Sequence, residues 1–125
     1  MSKRILIVDD EPHVLEVIRV TLEDFGFELM EAMDGETVFQ IVSDAPPDII
    51  LLDVNMPRKD GYQVCSELKQ NPSTRHIPVI LITVRNQPED LRTGREAGAD
   101  GYLTKPFTPL ALLSELHEHL KLGVV

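Results

Sequence analysis

Ile49-Ile50-Leu51-Leu52-Asp53 is a run of four consecutive apolar residues closed by a carboxylate. A strand covered by helices on both faces needs apolar side chains at consecutive rather than alternating positions, so this segment reads as an inner strand of a parallel sheet. Related runs lie on either side of it. Ile5-Leu6-Ile7-Val8 precedes it and Val79-Ile80-Leu81-Ile82 follows, with a weaker run from Gly101 to Leu103. Phe27 to Ala32 is a fifth candidate, whose mixed Phe27-Glu28-Leu29-Met30 start suits the edge of a sheet.

Helical spacing fills the intervals. Val14, Leu15, Val17, Ile18 and Leu22 predict an amphipathic first helix that Gly26 stops. A second helix is predicted over 35–43 with Val38, Ile41 and Val42 inward, and a third after Gly61 with Val64, Cys65 and Leu68 on one side. A fourth runs from Pro88 to Ala97; Gly94 weakens it, and only Leu91 and Ala97 offer a buried stripe. Thr108 and Pro109 read as the N-cap and first position of a fifth helix with Leu112, Leu113, Leu116 and Leu120 on its apolar face, ended by Gly123. Five strand–helix units in 125 residues leave room only for tight connections, so residues 1–125 are expected to form one doubly wound α/β domain.

Composition narrows the partners. Against 21 acidic residues stand 12 Lys and Arg, giving a net charge of −9. Such a chain is poorly suited to a phosphate backbone, whose binding depends on clustered cations, and no direct nucleic-acid partner is expected. The 42% apolar content suffices for a core without a metal or disulfide staple. Cys65 stands alone, no signal-type apolar segment follows Met1-Ser2-Lys3-Arg4, and no apolar run approaches the ~20 residues that span a bilayer. A cytoplasmic location without membrane contact is the expectation.

Ligands of open parallel sheets bind beyond the carboxyl ends of the strands. There the sequence places Asp9-Asp10-Glu11, Asp53, Thr83 and Thr104-Lys105-Pro106: carboxylates, a hydroxyl and an ammonium. Singly, each has an ordinary explanation. Asp9 or Asp10 could cap the first helix, Thr83 could bond its own turn, Lys105 could be a solvated loop charge, and Tyr102 a rim aromatic. Asp53 is harder to set aside, because carboxylates brought together at a sheet rim disfavour joint ionisation and need a compensating charge. A hard divalent cation such as Mg2+ supplies it through oxygen ligands, and Asp53 could then attack a phosphoryl group whose oxygens Lys105 and Thr83 bind, giving an aspartyl phosphate.

Taken in order, Asp9-Asp10 after Ile5 to Val8, Asp53-Val54-Asn55-Met56-Pro57 continuing to Asp60-Gly61, then Thr83, then Gly98-Ala99-Asp100-Gly101-Tyr102-Leu103-Thr104-Lys105-Pro106-Phe107, the sequence resembles the receiver domain of two-component response regulators over nearly its whole length. The resemblance implies a flavodoxin-like (βα)5 fold with strand order 2-1-3-4-5. It implies that Asp53 accepts phosphate from a phosphohistidine on a sensor histidine kinase or phosphotransfer protein. Asp10, Asp53 and the backbone carbonyl of Asn55 would bind Mg2+ directly, and Asp9 largely through water. Lys105 would contact the phosphoryl group, with a cis bond to Pro106. Thr83 and Tyr102 look like the switch pair that alters the surface of the fourth helix, fifth strand and fifth helix for a downstream protein or output domain.

Two departures stand out. Val84 follows the switch threonine where the family commonly has a small residue, which predicts narrowed access for small phosphodonors. Arg85, with Asn55, occupies a position that tunes phosphate lifetime in relatives. DNA-binding relatives often have an acidic residue after the Gly-Ala-Asp run and basic residues on the last helix. Here Gly101 follows Asp100, and the last helix has Glu115, His117, Glu118 and His119, a pattern unlike that dimer surface, although a phosphorylation-dependent homodimer stays among the expected partners. Two other functions remain open on the residues alone. A Mg2+-dependent phosphatase would turn over a free substrate but generally needs an acid two residues beyond the nucleophile, where Asn55 stands. A flavin carrier would need hydroxyls and amides where Asp9-Asp10-Glu11 would repel a phosphate.

Overall fold

The computed structural model describes residues 3–56, 59–84 and 88–120. In chain order the elements are β1 (Arg4–Val8), α1 (Pro12–Leu22), a 3-10 turn (Glu23–Phe25), β2 (Glu28–Ala32), α2 (Gly35–Asp44), β3 (Ile49–Asp53), α3 (Gly61–Gln70), β4 (Val79–Thr83), α4 (Pro88–Glu96), β5 (Gly101–Thr104) and α5 (Pro109–Leu120). All four strand pairings are parallel and the sheet order is β2-β1-β3-β4-β5. This is the doubly wound α/β fold expected from the consecutive apolar runs, with the mixed strand β2 at one edge.

Successive residues of the inner strands serve opposite layers. Ile5, Ile7, Ile49, Leu51, Ile80 and Ile82 pack with Leu15, Ile18 and Leu22 of α1 and Leu112, Leu116 and Leu120 of α5. Leu6, Val8, Ile50, Leu52, Val79 and Leu81 pack with Val38 and Val42 of α2 and Val64, Cys65 and Leu68 of α3. β3 and β4 are buried at every position, the physical reason that their sequences do not alternate.

Local signals act largely as expected. Asp34 and Asp60 accept N–H bonds from Thr37 and Gln63 at 2.8 and 2.9 Å, and the Asp60 N–H in turn donates to Gln63 Oε1 at 3.0 Å, which completes a capping box. The Thr108 hydroxyl accepts from the Ala111 N–H at 3.0 Å as α5 begins at Pro109. Gly26 takes φ 77° after the 3-10 turn, a conformation that favours glycine.

Some expectations differ in detail. Val17 is 55% exposed, so α1 buries a narrower stripe than its five apolar positions suggest. In α4 the buried residue is Gly94, whereas Leu91 and Ala97 are only half-buried. Neither Asp9 nor Asp10 caps α1; its N-cap is Glu11, without a side-chain cap bond. Pro57, Arg85 and the stop assigned to Gly123 lie outside the described residues. No helix among the described residues is long and apolar enough to cross a membrane.

Candidate functional site

The carboxyl ends of β1, β3, β4 and β5 meet at one rim. Asp9 follows β1 and is fully buried; its N–H donates to the Ala32 carbonyl at 3.1 Å, and its Oδ1 accepts from the Glu11 N–H at 2.9 Å. Asp53 ends β3 at 2% exposure, its position fixed by the register that pairs it with Ile82. Asp10 is half-buried beside them. Carboxylate oxygens of Asp9, Asp10 and Asp53 lie within 4.8 Å of one another.

Among the described residues, the Lys105 ammonium enters this cluster. Lys105 Nζ donates to Asp9 Oδ2 at 3.0 Å and to Asp53 Oδ1 at 3.2 Å, and lies 3.7 Å from Glu11 Oε1. Its backbone N–H donates to the Thr83 carbonyl at 2.8 Å, which ties the loop after β5 to the end of β4, and the following Lys105–Pro106 peptide is cis. Thr83 is 2% exposed at that end, paired in register with Thr104.

Among the described residues these charges do not balance. Burial pushes the Asp53 carboxyl up and the Asp9 carboxylate adds to it, while Lys105 pulls the other way; the result is a rise from 3.8 to about 6. Burial works against the Lys105 ammonium, but its bonds to Asp9 and Asp53 outweigh that and hold its pKa above the ordinary lysine value. Among the described residues, three close carboxylates, two of them sharing the Lys105 ammonium, offer only oxygen donors and fit a hard divalent cation better than a further side chain.

The switch candidates occupy the flank. Tyr102 lies on β5 opposite Leu81, and its hydroxyl donates to the Leu91 carbonyl of α4 at 2.6 Å. Val84 is 60% exposed and lines a cleft of about 300 Å³ with His13, Val14, Val17, Lys105, Pro106 and Phe107. Asn55 is exposed in the loop after β3. Cys65 is apart from this rim: its thiol, pushed up to about 11 by burial, contacts the Ala97 carbonyl at 3.5 Å, as fits a small core residue.

The chain matches the family described as response regulator receiver domain over residues 5–117. It belongs to that family. It is 42% identical to the response regulator PleD of Caulobacter vibrioides over all of its own length, which corresponds to 28% of PleD. Among solved structures, a response regulator from Chloroflexus aurantiacus superposes with TM-score 0.92 at 34% identity, covering 97% of this chain and 99% of that one. The receiver domain of the Pseudomonas aeruginosa sensor histidine kinase PA1611, a structure with a magnesium ion in its active-site cleft, gives TM-score 0.88 at 28% identity over 97% of this chain and 99% of that one.

In this receiver domain the rim thus brings together Asp9, Asp10, Asp53, Thr83 and Lys105, all singled out in the sequence. Two contributors were not legible there as such. Gly61 packs on the backbone of the acidic residue itself: a Cβ on it would approach the Asp53 carbonyl oxygen and come within 2.8 Å of Val54 Cα. Gly94 reads from sequence as a weak point of α4, yet a Cβ there would come within 2.6 Å of the Tyr102 ring. The available signal was a glycine inside a helical pattern, which points to close packing as well as to a break.

Proposed function

We propose that this receiver domain accepts a phosphoryl group on Asp53 from a phosphohistidine of a sensor histidine kinase or phosphotransfer protein, and thereby changes the surface of α4, β5 and α5 read by a downstream protein or output domain. The supporting observation is that the buried Asp53 carboxylate shares one ammonium with Asp9 and stands within 4.8 Å of both neighbouring carboxylates. An Asp53 oxygen attacks phosphorus as the P–N bond to the donor imidazole breaks; that imidazole leaves with the bond's electrons and takes up a proton. Lys105, already on Asp53, moves onto the phosphoryl oxygens, and Thr83 approaches them from the neighbouring strand end.

Asp10, Asp53 and the Asn55 backbone carbonyl would hold Mg2+, with Asp9 acting largely through water. When bound, the ion offsets the charge of carboxylate and phosphoryl oxygens brought together. Water later hydrolyses the acyl phosphate, so the domain acts on itself without turning over a free substrate, and Asn55 and Arg85 tune that lifetime. On phosphorylation Thr83 draws toward the new oxygens and Tyr102 turns inward. A cytoplasmic site of action, no direct nucleic-acid contact from a chain of net charge −9, and a phosphorylation-dependent homodimer complete the reading.

Intact mass measured after incubation with Mg2+ and a phosphoramidate or acyl-phosphate donor tests it. The expected result is a single phosphoryl adduct that requires Mg2+, is lost in Asp53→Ala and is removed by hydroxylamine. No adduct from small donors or from a phosphohistidine donor, in wild type and Val84→Ala alike, would overturn the reading.

A further inference from the structure

α4 is thinly anchored by apolar contacts. Among its nine residues Gly94 alone is buried, and Ala97 just beyond it packs only partly against the core. Two phenol hydroxyls from different elements grip its first turns. Tyr102 of β5 donates to the Leu91 carbonyl at 2.6 Å, and Tyr62 of α3 donates to the Asp90 carbonyl at 3.3 Å. The two acceptors are consecutive.

The two tyrosines are carried differently. Tyr102 stands on β5, one strand from Thr83. Tyr62 follows Gly61, whose N–H donates to the Val54 carbonyl at 2.9 Å and whose Cα is so close to the loop that a Cβ would come within 3.0 Å of the Asp53 carbonyl carbon. The first turn of α3 is locked by the Asp60–Gln63 capping box, and the Tyr62 ring packs against the core layer formed with α2 and α3. The backbone beneath Asp53 therefore sets where Tyr62 stands, independently of how the Tyr102 ring is turned.

We propose that Tyr62 is a positioning residue for α4, the tether about which the helix pivots when Asp53 is phosphorylated and Tyr102 releases Leu91. The inference rests on the phosphoacceptor reading above and adds to it the element that does not move. With one buried residue, α4 takes the position of its first turns largely from these two hydroxyls. Held at Asp90, near its start, it swings at the end that bears Arg92, Arg95 and Glu96. Asp53 then acts on α4 through two arms, Thr83 with Tyr102, which changes, and Gly61 with Tyr62, which stays.

Amide hydrogen exchange over peptides covering 88–97 tests this in wild type, Tyr62→Phe and Tyr102→Phe, each with and without Mg2+ and an acyl-phosphate donor, with the adduct followed by intact mass. Phenylalanine keeps the ring and removes only the hydroxyl. Without donor, each variant is expected to exchange about five-fold faster than wild type, the effect of losing one net hydrogen bond. With the adduct formed, Tyr102→Phe is expected to match wild type, because that bond is already released, whereas Tyr62→Phe keeps its five-fold excess. A merely structural role for Tyr62 would instead raise exchange across the domain, in peptides outside 88–97 as well as within them. Loss of the Tyr62→Phe excess on phosphorylation, or no excess before it, overturns the pivot and leaves the phosphoacceptor reading intact. Absence of the adduct with acyl-phosphate and phosphohistidine donors alike, in wild type and Val84→Ala, overturns both.

Discussion

The Tyr102 ring rests directly on the backbone of Gly94: a Cβ on that glycine would lie within 2.6 Å of Cε1 and 2.8 Å of Cζ. The missing side chain lets α4 approach β5 closely enough for the Tyr102 hydroxyl to reach the Leu91 carbonyl at 2.6 Å. A residue that costs intrinsic helix stability thus sets how near the candidate switch ring comes to the helix it would move.

Gly94→Ala is accordingly expected to destabilise the domain despite its better helix propensity. Alanine gains up to ~1 kcal/mol in an exposed helix interior. Overpacking against the Tyr102 ring costs ~1–3 kcal/mol, so a net loss of up to ~2 kcal/mol is expected in urea unfolding. Burial, opposed in part by Arg95, raises the Tyr102 pKa. Pushing the ring toward water should lower it, and tyrosine absorbance titration should show one transition moving to lower pH. An unchanged titration would mean that the ring accommodates the methyl in place.

Asp53 gives the metal-free domain a defined pH dependence. Its carboxyl titrates at about 6 in the folded chain against an ordinary 3.8, so between these values the folded state holds more protons than the unfolded one. Folding stability contributed by this group therefore falls as pH rises through about 4 to 6 and stays reduced above. Asp53→Asn is expected to be more stable than wild type at pH 7 without divalent cations, by roughly 1–3 kcal/mol, and the difference should vanish below about pH 4. Mg2+ should raise the wild-type melting temperature more than that of Asp53→Asn, and a variant less stable than wild type at neutral pH would contradict the electrostatic account.

Removing the ammonium should have the opposite effect. Lys105→Met leaves Asp9 and Asp53 facing each other without the cation that stands 3.0 and 3.2 Å from them. Breaking a buried pair costs ~3–5 kcal/mol, and proton uptake by Asp53 relieves part of it, so a loss of roughly 2–4 kcal/mol is expected at pH 7.5. The loss should shrink at pH 5, where Asp53 is protonated. Urea melts at the two pH values check the direction, and an equal loss at both would place the contribution of Lys105 in its aliphatic stem rather than its charge.

The fold was legible in the sequence because β1, β3 and β4 are buried on both faces and their apolar runs have no alternation to mislead. The same holds for the rim: Asp9, Asp53 and Lys105 each lie at a strand end, so strand placement alone brings them together. What stayed hidden depends on distances between elements. Val17 belongs to the apolar periodicity of α1 yet faces outward, since periodicity marks a face without giving the width that the neighbouring layer covers. Gly94 and Tyr62 acquire their roles only from what stands opposite them, Tyr102 in one case and the Asp90 carbonyl in the other. No spacing within α3 or α4 reports those partners.

Val84 offers the last test, on access rather than stability. It is 60% exposed, directly follows the buried Thr83, and lines the same cleft as Lys105, Pro106 and Phe107. Its branched side chain is expected to narrow the approach of a small donor to this rim, and displacement rates depend steeply on bringing phosphorus in line with Asp53. Val84→Ala is expected to react several-fold faster with acetyl phosphate or phosphoramidate at fixed Mg2+, with little change in folding stability because the side chain is mostly in water. Initial rates of adduct formation by intact mass measure it. A variant that reacts no faster would show that the valine does not restrict the path, and would shift attention to how Lys105 leaves Asp9 to meet the incoming phosphoryl oxygens.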